Sequence, residues 1–204
     1  MSEITMISVQ EKNKNRCNVY VDGSFSFAVS LDLAIKYGLK KGFVLDDNLL
    51  KEITIEDEKM RAYSLATKYL SRALKTKKQV ITYLKGKEIS EPVIYQVIDK
   101  LKEYGFINDE EYVKRYLEAC SATQGKRLSD YKLMMKGIKK TDIESAREDV
   151  FVDGKENAKR IAERRLKNKD KTKENIVKTY RYLVGRGFSY EEAEYAVSNF
   201  KGEE

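Results

Sequence analysis

Lysine and arginine are the residues in this sequence whose number and spacing indicate a chemical role, the binding of anionic groups. They number 40 among 204 residues, and three stretches concentrate them. Residues 68–87 hold seven basic residues and no acid, residues 126–140 hold six against one, and residues 155–186 hold twelve against four. Acids predominate between and after these stretches, and the net charge is +7. Cations that recur at intervals of about fifty residues suit a repetitive polyanion, because each can bind a phosphate or a carboxylate.

The sequence lacks the residue types that most catalytic and metal sites use. It has no histidine, which excludes Ser-His-Asp and Cys-His catalysis and His-ligated zinc. Cys17 and Cys120 form no CxxC pair, and no glycine-rich loop precedes a Lys-Ser or Lys-Thr pair. The acids of the run 109–111 do not converge on one ion, because consecutive residues of a helix point apart. We therefore expect no enzymatic activity, no catalytic residue, no cofactor and no metal site.

The distribution of apolar residues and cysteines predicts a cytoplasmic protein. The longest stretch free of charged residues is Gly23–Leu31, whose nine residues are too few to span a membrane. The start Met1-Ser2-Glu3 lacks the basic and apolar pattern of a secretory signal. Two isolated cysteines are typical of a reducing compartment. We expect no membrane partner and a monomer.

The elements that must position the cations are mostly helices. From residue 58 onward, apolar residues recur with the i, i+3, i+4, i+7 spacing of helices that bury one face. Five capping boxes mark predicted helix starts: Thr76 with Gln79, Asn108 with Glu111, Thr141 with Glu144, Asp153 with Glu156, and Ser189 with Glu192. Gly86, Gly137 and Gly187 mark three predicted helix ends. Their spacing of about fifty residues predicts a tandem array of three-helix units.

The first 57 residues follow a different pattern. Apolar residues alternate with polar ones before and after Asp22-Gly23, which predicts a β-hairpin with a tight turn. A short helix is predicted over 31–37, and Asp46 or Asp47 is predicted to cap a second short helix. Residues 1–57 have a net charge of −2, whereas the remainder has +9. We therefore expect a domain boundary at residues 55–57.

The charge pattern assigns to each unit a basic second helix, with a basic segment leading into it, and an acidic third helix, so that stacked units align a basic stripe. The alternative is a solvated face that only keeps the protein soluble; charge segregated by helix and repeated in phase favours binding. Among the candidates, Arg127, Arg164 and Arg165 are favoured because a guanidinium binds phosphate or carboxylate through two donors. The candidate binding residues are Lys77, Lys78, Lys85, Lys126, Arg127, Lys132, Arg160, Arg164, Arg165 and Lys167.

The tyrosines allow two interpretations. Tyr69, Tyr116 and Tyr180 lie on apolar stripes, which predicts that they belong to the core. Tyr83 and Tyr182 stand near Lys85 and Arg181 respectively, so stacking on nucleic-acid bases stays open for these two, although core packing is favoured.

Four segments resemble the RecX regulatory proteins, a family that binds and restrains the bacterial recombinase RecA. Residues 19–30, VYVDGSFSFAVS, and residues 37–42, YGLKKG, are similar to the N-terminal β-segment of Gram-positive members and to the segment that follows it. Residues 106–113, FINDEEYV, resemble the family's join between its first and second repeats. Gly125-Lys-Arg leading into 133–138, LMMKGI, resembles its central signature, although Ser129 stands where the family usually has an aliphatic residue.

The resemblance implies a mainly α fold, in which three tandem three-helix repeats form a curved array after a small N-terminal module that contains a β-hairpin. The expected divisions are 1–57 for this module and 58–107, 108–152 and 153–204 for the repeats. The resemblance also implies a partner and a function. Such proteins lie in the groove of the RecA filament on single-stranded DNA and inhibit its ATPase, recombination and strand exchange. For this chain we also expect double-stranded DNA as a weaker partner.

Two other functions stay open from the residues alone. A winged-helix transcription factor fits residues 77–107, but the residues after 107 predict another helix where a β-ribbon wing should follow. A helical adaptor for an acidic protein fits the basic stripe without any nucleic acid. Salt-dependent binding to single-stranded DNA separates the adaptor from the first interpretation.

Overall fold

The structure, a computed structural model, describes residues 2–198 and residue 200. Within these residues there are four strands and ten helices, which confirms the predicted mainly α class with an N-terminal β-rich module. The strands are β1 (Ser2–Val9), β2 (Arg16–Val21), β3 (Ser24–Ser30) and β4 (Val44–Leu45). The helices are α1 (Leu31–Lys36), α2 (Asp47–Leu70), α3 (Lys77–Lys85), α4 (Glu91–Glu103), α5 (Asp109–Ser121), α6 (Lys126–Met135), α7 (Lys140–Asp149), α8 (Gly154–Leu166), α9 (Lys173–Gly185) and α10 (Tyr190–Ser198).

The four strands form one antiparallel sheet in the order β3-β2-β1-β4. The predicted hairpin at Asp22-Gly23 is confirmed: both turn residues have positive φ, 48° and 85°, as a tight hairpin turn requires. Alternate residues of the strands point to one face and build a core with α1 and α2. Its fully buried members are Ile4, Val19, Val29 and Ile53.

Helix α2 is much longer than the sequence predicted. Asp46 caps it as expected, accepting a hydrogen bond from the backbone N–H of Leu49, but the helix then continues for 24 residues. It runs through residue 57, where Asp57 is buried and accepts two hydrogen bonds from Arg16 and one from the backbone N–H of Ser30. The prediction of a short second helix is therefore wrong. An aspartate at position 57 is expected at the surface, but its hydrogen bonds to β2 and β3 stabilise it in a buried position within the longer helix.

Four of the five predicted capping boxes lie at helix starts. Thr76 with Gln79 and Ser189 with Glu192 form both reciprocal hydrogen bonds. Asn108 and Asp153 each accept the backbone N–H three residues on. The fifth prediction is wrong: α7 begins at Lys140, so Thr141 lies inside the helix and its hydroxyl donates to Asp142 instead.

The ends of α3, α6 and α9 share one turn. In each, the backbone N–H of an apolar residue reaches back five positions, from Ile89 to Leu84, from Ile138 to Leu133 and from Phe188 to Leu183. The residue before the apolar one has positive φ, which is 58° at Glu88, 89° at Gly137 and 88° at Gly187. Gly86 was predicted to fill this position in the first repeat, but it is Glu88 that adopts the left-handed conformation.

The chain divides into two compact units, and the division falls within α3. The first unit holds the residues up to Ala73 together with Val80–Phe106, and the second holds Leu74–Gln79 together with the residues from Ile107 onward. The second unit contains two apolar clusters, one shared by α5, α6 and α7 and one shared by α8, α9 and α10. The boundaries at residues 57, 107 and 152 stay predictions. Among the described residues, no helix is long and apolar enough to cross a membrane.

Candidate nucleic-acid interface

The start of α6 meets the end of α9 in a direct backbone contact. Gly125 donates its N–H to the carbonyl of Arg186 at 3.0 Å, and Arg127 donates its N–H to Gly187 at 3.1 Å. The two segments approach so closely that a Cβ atom on Gly125 would lie 2.2 Å from the backbone nitrogen of Phe188. This contact places Lys126 and Arg127, both exposed, directly beside the last turn of α9.

A similar contact joins residues 76–78 to the end of α6, within the second unit. The hydroxyl of Thr76 donates to the carbonyl of Lys136 at 2.7 Å, and the ammonium of Lys78 donates to the carbonyl of Met135 at 3.3 Å. The backbone N–H of Lys77 donates to Asp109 at 2.8 Å. Lys78 therefore satisfies a carbonyl at a helix C-terminus, where a cation is favoured. The ammonium of Lys78 is therefore partly engaged in stabilising the fold.

Three arginines and one tyrosine form a cluster between α8 and the end of α9. The guanidinium of Arg165 lies 4.2 Å from the ring centre of Tyr182, and that of Arg186 lies 5.2 Å from it. Nε of Arg186 also donates to the tyrosine hydroxyl at 2.9 Å. Arg164 lines the same cavity of about 270 Å³, together with Thr123 from the segment after α5. We call these residues (Arg164, Arg165, Tyr182 and Arg186) the arginine cluster.

The arginine cluster has the chemistry of an anion site. In the part of the chain that the structure describes, none of its three guanidinium groups pairs with a carboxylate. Arg165 and Arg186 are only half-exposed, and the face of Tyr182 holds their guanidinium groups in place. Cations held together in this way without a counter-ion repel one another, so an external anion would be stabilising. A phosphodiester matches the fork of donors on each arginine.

In the third repeat, the predicted binding residues lie on the approach to the second helix and not on that helix itself. Arg160, Arg164 and Arg165 lie on α8, the first helix of that repeat, and Lys167 follows its last residue. The basic residues of the true second helix, α9, are Lys173, Lys178 and Arg181, with Arg186 just beyond its end. The structure therefore brings Arg164 and Arg165 together with Arg186, which the charge pattern of the sequence did not distinguish from the other basic residues around it.

Two of the predicted binding residues are paired inside the chain. Lys85 forms an ion pair with Glu91, and the hydrogen bond that its ammonium donates to this carboxylate raises the pKa of Lys85 above its usual range. Arg160 pairs with Glu156 one helical turn away, at 3.3 Å. Lys132 is half-buried on α6, and Lys167 is exposed. None of these four residues belongs to the arginine cluster.

The acidic third helices are also partly neutralised. Glu191 of α10 pairs with Lys155 at 2.6 Å, and this hydrogen bond lowers the pKa of Glu191 and raises that of Lys155. Asp149 of α7 pairs with Lys114 at 2.8 Å, which raises the pKa of the lysine. In the described residues, no group of three or more Cys, Asp and Glu side chains is arranged to hold a metal ion.

The five tyrosines weighed in the sequence all contact other side chains of the protein. Tyr83 stacks on Tyr69 with ring centres 4.2 Å apart, and Tyr182 is covered by arginine, so stacking on bases loses support for both. Tyr116 and Tyr180 pack against the apolar clusters of the second unit, as predicted. Burial raises the pKa of Tyr116 to about 12.

Family models match three parts of the chain. Residues 2–46 match the regulatory protein RecX N-terminal domain. Residues 62–101 match the first three-helix domain of RecX, and residues 153–197 match the third.

Relatives match nearly the whole chain. The regulatory protein RecX of Clostridium botulinum (strain Alaska E43 / Type E3) is 34% identical over 196 residues, with 94% of this chain and 92% of the relative covered. The regulatory protein RecX of Bacillus subtilis (strain 168) is 36% identical, with 94% of this chain and 74% of the relative covered.

Two solved structures have the same fold. A crystal structure of regulatory protein RecX has a TM-score of 0.65 at 27% identity, covering 98% of this chain and all of that one. RecX from Lactobacillus salivarius has a TM-score of 0.62 at 26% identity, covering 71% of this chain and 97% of that one. The order of matched segments, the near-complete coverage and the shared fold agree, and we conclude that this chain belongs to the RecX family of regulatory proteins.

Proposed function

We propose that this protein binds the RecA filament on single-stranded DNA and restrains RecA's ATP hydrolysis and strand exchange without catalysing a reaction itself. Membership of the RecX family supports RecA as the partner. A partner that assembles on DNA also implies a cytoplasmic protein, as the sequence predicts. The monomeric state and the weaker binding of double-stranded DNA stay predictions.

The arginine cluster is the single observation that carries the DNA half of the proposal. Arg165 and Arg186 place two guanidinium groups at Tyr182, and Arg164 lines the same cavity; none of the three has a carboxylate partner in the described residues. Lys126 and Arg127 lie next to them through the backbone contact between α6 and α9. Five cations on α6, on α8 and at the end of α9 suit a phosphate backbone, and each phosphate contact releases counterions from the strand.

The two alternative functions have less support. A winged-helix factor requires a β-ribbon after residue 107, and α5 occupies that part of the chain. An adaptor for an acidic protein would also use the arginine cluster, but it would bind single-stranded DNA only weakly and without a steep salt dependence. Titration of the protein with single-stranded DNA at several salt concentrations therefore separates the adaptor from the proposed function.

The test is RecA-catalysed ATP hydrolysis on single-stranded DNA, measured with increasing amounts of this protein. We expect wild type to inhibit and the double variant Arg164→Glu/Arg165→Glu to require about tenfold more protein for the same inhibition, because each reversal replaces attraction by repulsion. Circular dichroism checks that the helical content is unchanged.

The matched control is Lys14→Glu/Lys102→Glu. Both lysines are exposed and have no ion pair in the described part of the chain, and the change in net charge is the same. We expect this variant to inhibit like wild type. If wild type leaves ATP hydrolysis unchanged, the proposed function is wrong; if both double variants are weakened equally, the arginine cluster is not its site.

A further inference from the structure

Helix α6 presents an apolar face to solvent, opposite to the face that it buries. Ser129 and Leu133 are buried, and Leu133 packs in the apolar cluster that α6 shares with α5 and α7. Tyr131, Met134 and Met135 are 57%, 43% and 61% exposed. They stand at positions i, i+3 and i+4, so their side chains share one side of the helix. We call these three residues the α6 apolar patch.

The α6 apolar patch is unusual among the helices. In the part of the chain that the structure describes, no other helix has more than two exposed large apolar side chains, although α6 is only ten residues long. Single exposed apolar residues are normal at a protein surface, whereas a group of them on one face typically marks a site that another molecule covers. Methionine suits such a site, because its unbranched side chain adapts to the shape of a partner.

The charges around the α6 apolar patch are positive. Arg127 lies on the same side of the helix, one turn before the patch, and Lys132 and Lys139 lie close to it in the sequence. None of these three has a carboxylate partner among the described residues. Asp130, the one acid of α6, is bound by Arg147 at 2.5 Å. The patch therefore attracts carboxylates and repels cations.

The side chains of the patch favour a protein over a nucleic acid as the partner. Bases stack on flat rings, and only one of the three side chains is aromatic. Methionine side chains instead pack against the aliphatic and aromatic side chains of a protein. A helix face with anchors at i, i+3 and i+4 is the kind of surface that pairs with an amphipathic protein segment. Because cations surround the patch, that segment needs apolar side chains flanked by aspartate or glutamate.

The α6 apolar patch is separate from the arginine cluster. Arg127, at the start of α6, contacts the segment that follows α9, whereas Met135 is the last residue of α6. A helix rises about 1.5 Å per residue, so about 12 Å separates these two positions along the axis. A protein segment can therefore occupy the patch while a DNA strand occupies the arginine cluster, as a partner assembled on DNA requires.

We propose that the α6 apolar patch docks an acidic amphipathic segment of the protein partner, whose apolar side chains cover Tyr131, Met134 and Met135 and whose carboxylates face Arg127 and Lys139. The inference rests on the proposed function, in which that partner is RecA in its filament. It adds the surface that holds the protein: the arginine cluster binds the strand, and the α6 apolar patch binds the protein assembled on it.

One double variant separates protein binding from DNA binding. Tyr131→Ala/Met135→Ala removes most of the patch without changing a buried side chain or a charge. We expect its affinity for RecA filaments on single-stranded DNA to fall about thirtyfold, because a few apolar anchors carry most of the affinity of an interface. Inhibition of RecA ATP hydrolysis should weaken in parallel. Its affinity for single-stranded DNA alone should stay within about twofold of wild type, because no phosphate-binding cation has changed.

The matched control is Val177→Ala/Tyr190→Ala. Both side chains are exposed and belong to the second unit, but they lie apart, on α9 and α10. We expect this variant to bind the filament and the free strand like wild type. Circular dichroism checks that both double variants keep the helical content of wild type.

A photo-reactive side chain identifies the segment that docks. Met135→benzoylphenylalanine places the reactive group on an exposed position of the patch. We expect it to crosslink to RecA when the filament is illuminated. Mass spectrometry should locate the crosslink in a RecA segment that combines apolar residues with a net negative charge.

The outcomes separate this inference from the proposed function. If wild type neither binds the filament nor inhibits ATP hydrolysis, the proposed function fails and this inference fails with it. If wild type inhibits and Tyr131→Ala/Met135→Ala inhibits equally well, only the inference is wrong. If that variant also loses affinity for single-stranded DNA alone, the patch contacts DNA and the inference is overturned. A crosslink to DNA, to a second copy of this chain or to a RecA segment without negative charge contradicts it as well.

Discussion

The first and third helical repeats both carry a dense basic stretch, but they use it differently. In the first repeat, Lys85 pairs with Glu91 at the start of α4, and the ammonium of Lys87 lies 5.8 Å from the ring centre of Tyr83. In the third repeat, Arg165 and Arg186 share Tyr182 and have no carboxylate partner in the described residues. The number of basic residues along the sequence is therefore a poor guide to which cations are available to a ligand.

The same two repeats differ in the turn that ends their second helix. The third repeat uses Gly187, which has positive φ and contacts the backbone of Leu128. The first repeat places Glu88 at the equivalent position. One turn is held by close packing against a neighbouring helix, and the other tolerates a side chain at a backbone conformation that glycine prefers.

The largest expected effect comes from adding one methyl group to the turn of each repeat. A Cβ on Gly187 would lie 2.4 Å from the backbone nitrogen of Leu128, whereas a Cβ on Gly86 meets only ordinary contacts at 3.5 Å. We expect Gly187→Ala to lower the free energy of unfolding by about 3 kcal/mol and Gly86→Ala to change it by less than about 0.5 kcal/mol. Urea denaturation measures both. Equal effects would show that the α6–α9 contact is less tight than the structure has it.

The next effect concerns the affinity for single-stranded DNA. Removing two charges from the third repeat with Arg164→Gln/Arg165→Gln should weaken binding about tenfold at low salt and reduce the slope of log affinity against log salt by about 1.4, or 0.7 per phosphate. The matched change in the first repeat, Lys85→Gln/Lys87→Gln, should alter affinity less than about twofold, because Lys85 is already neutralised by Glu91. The contrast between the repeats is wrong if the first-repeat variant loses more.

A smaller effect is expected from giving the first repeat the turn residue of the third. Glu88 has a φ of 58°, which costs a non-glycine residue about 1–2 kcal/mol. Glu88→Gly relieves this strain but adds freedom to the unfolded chain, so we expect a net gain in stability of about 0.5–1 kcal/mol. Glu118→Gly, within α5, is the control and should lose about 1 kcal/mol. A loss at position 88 would mean that the glutamate side chain is itself stabilising.

The smallest effect is the pH dependence of the ion pair between Lys155 and Glu191. Since Lys155 lowers the pKa of Glu191, the pair stabilises the protein above the ordinary pKa of a glutamate, and this contribution disappears as the pH falls through the lowered value. Thermal unfolding should show a slight advantage of wild type over Lys155→Met at pH 7 and none in acid.

Lys167→Met provides the reference for this measurement. Its ammonium is exposed and has no carboxylate partner among the described residues, so its difference from wild type should not change with pH. An advantage of wild type over Lys155→Met that persists in acid would show that the lysine stabilises through packing instead.

The sequence predicted those features that depend on neighbours along the chain. The hairpin at Asp22-Gly23 and the caps at Thr76 and Ser189 follow from local backbone preferences, and the structure confirms them. Helix α2 was predicted too short because Asp57 is stabilised by Arg16, 41 residues away, and no local pattern shows this contact. Burial of an acid by a distant arginine is a tertiary effect.

The binding site was predictable only in part for the same reason. Arg164 and Arg165 were recognised from charge density, but their partners Tyr182 and Arg186 become neighbours only when α8 packs against α9. Exposure and lack of a partner are properties of the folded chain.

Helix α2 also has a consequence for how the protein is made. During synthesis, all four strands leave the ribosome before Ile53 and Asp57 do. Ile53 completes the core of the sheet, and Asp57 is the partner of Arg16. A nascent chain that ends before residue 57 therefore exposes the apolar faces of its strands, and chaperones bind such exposed apolar surface. The sheet and the first helix of the array become stable at the same moment of translation, and a ribosome that stalls within α2 would release an aggregation-prone fragment.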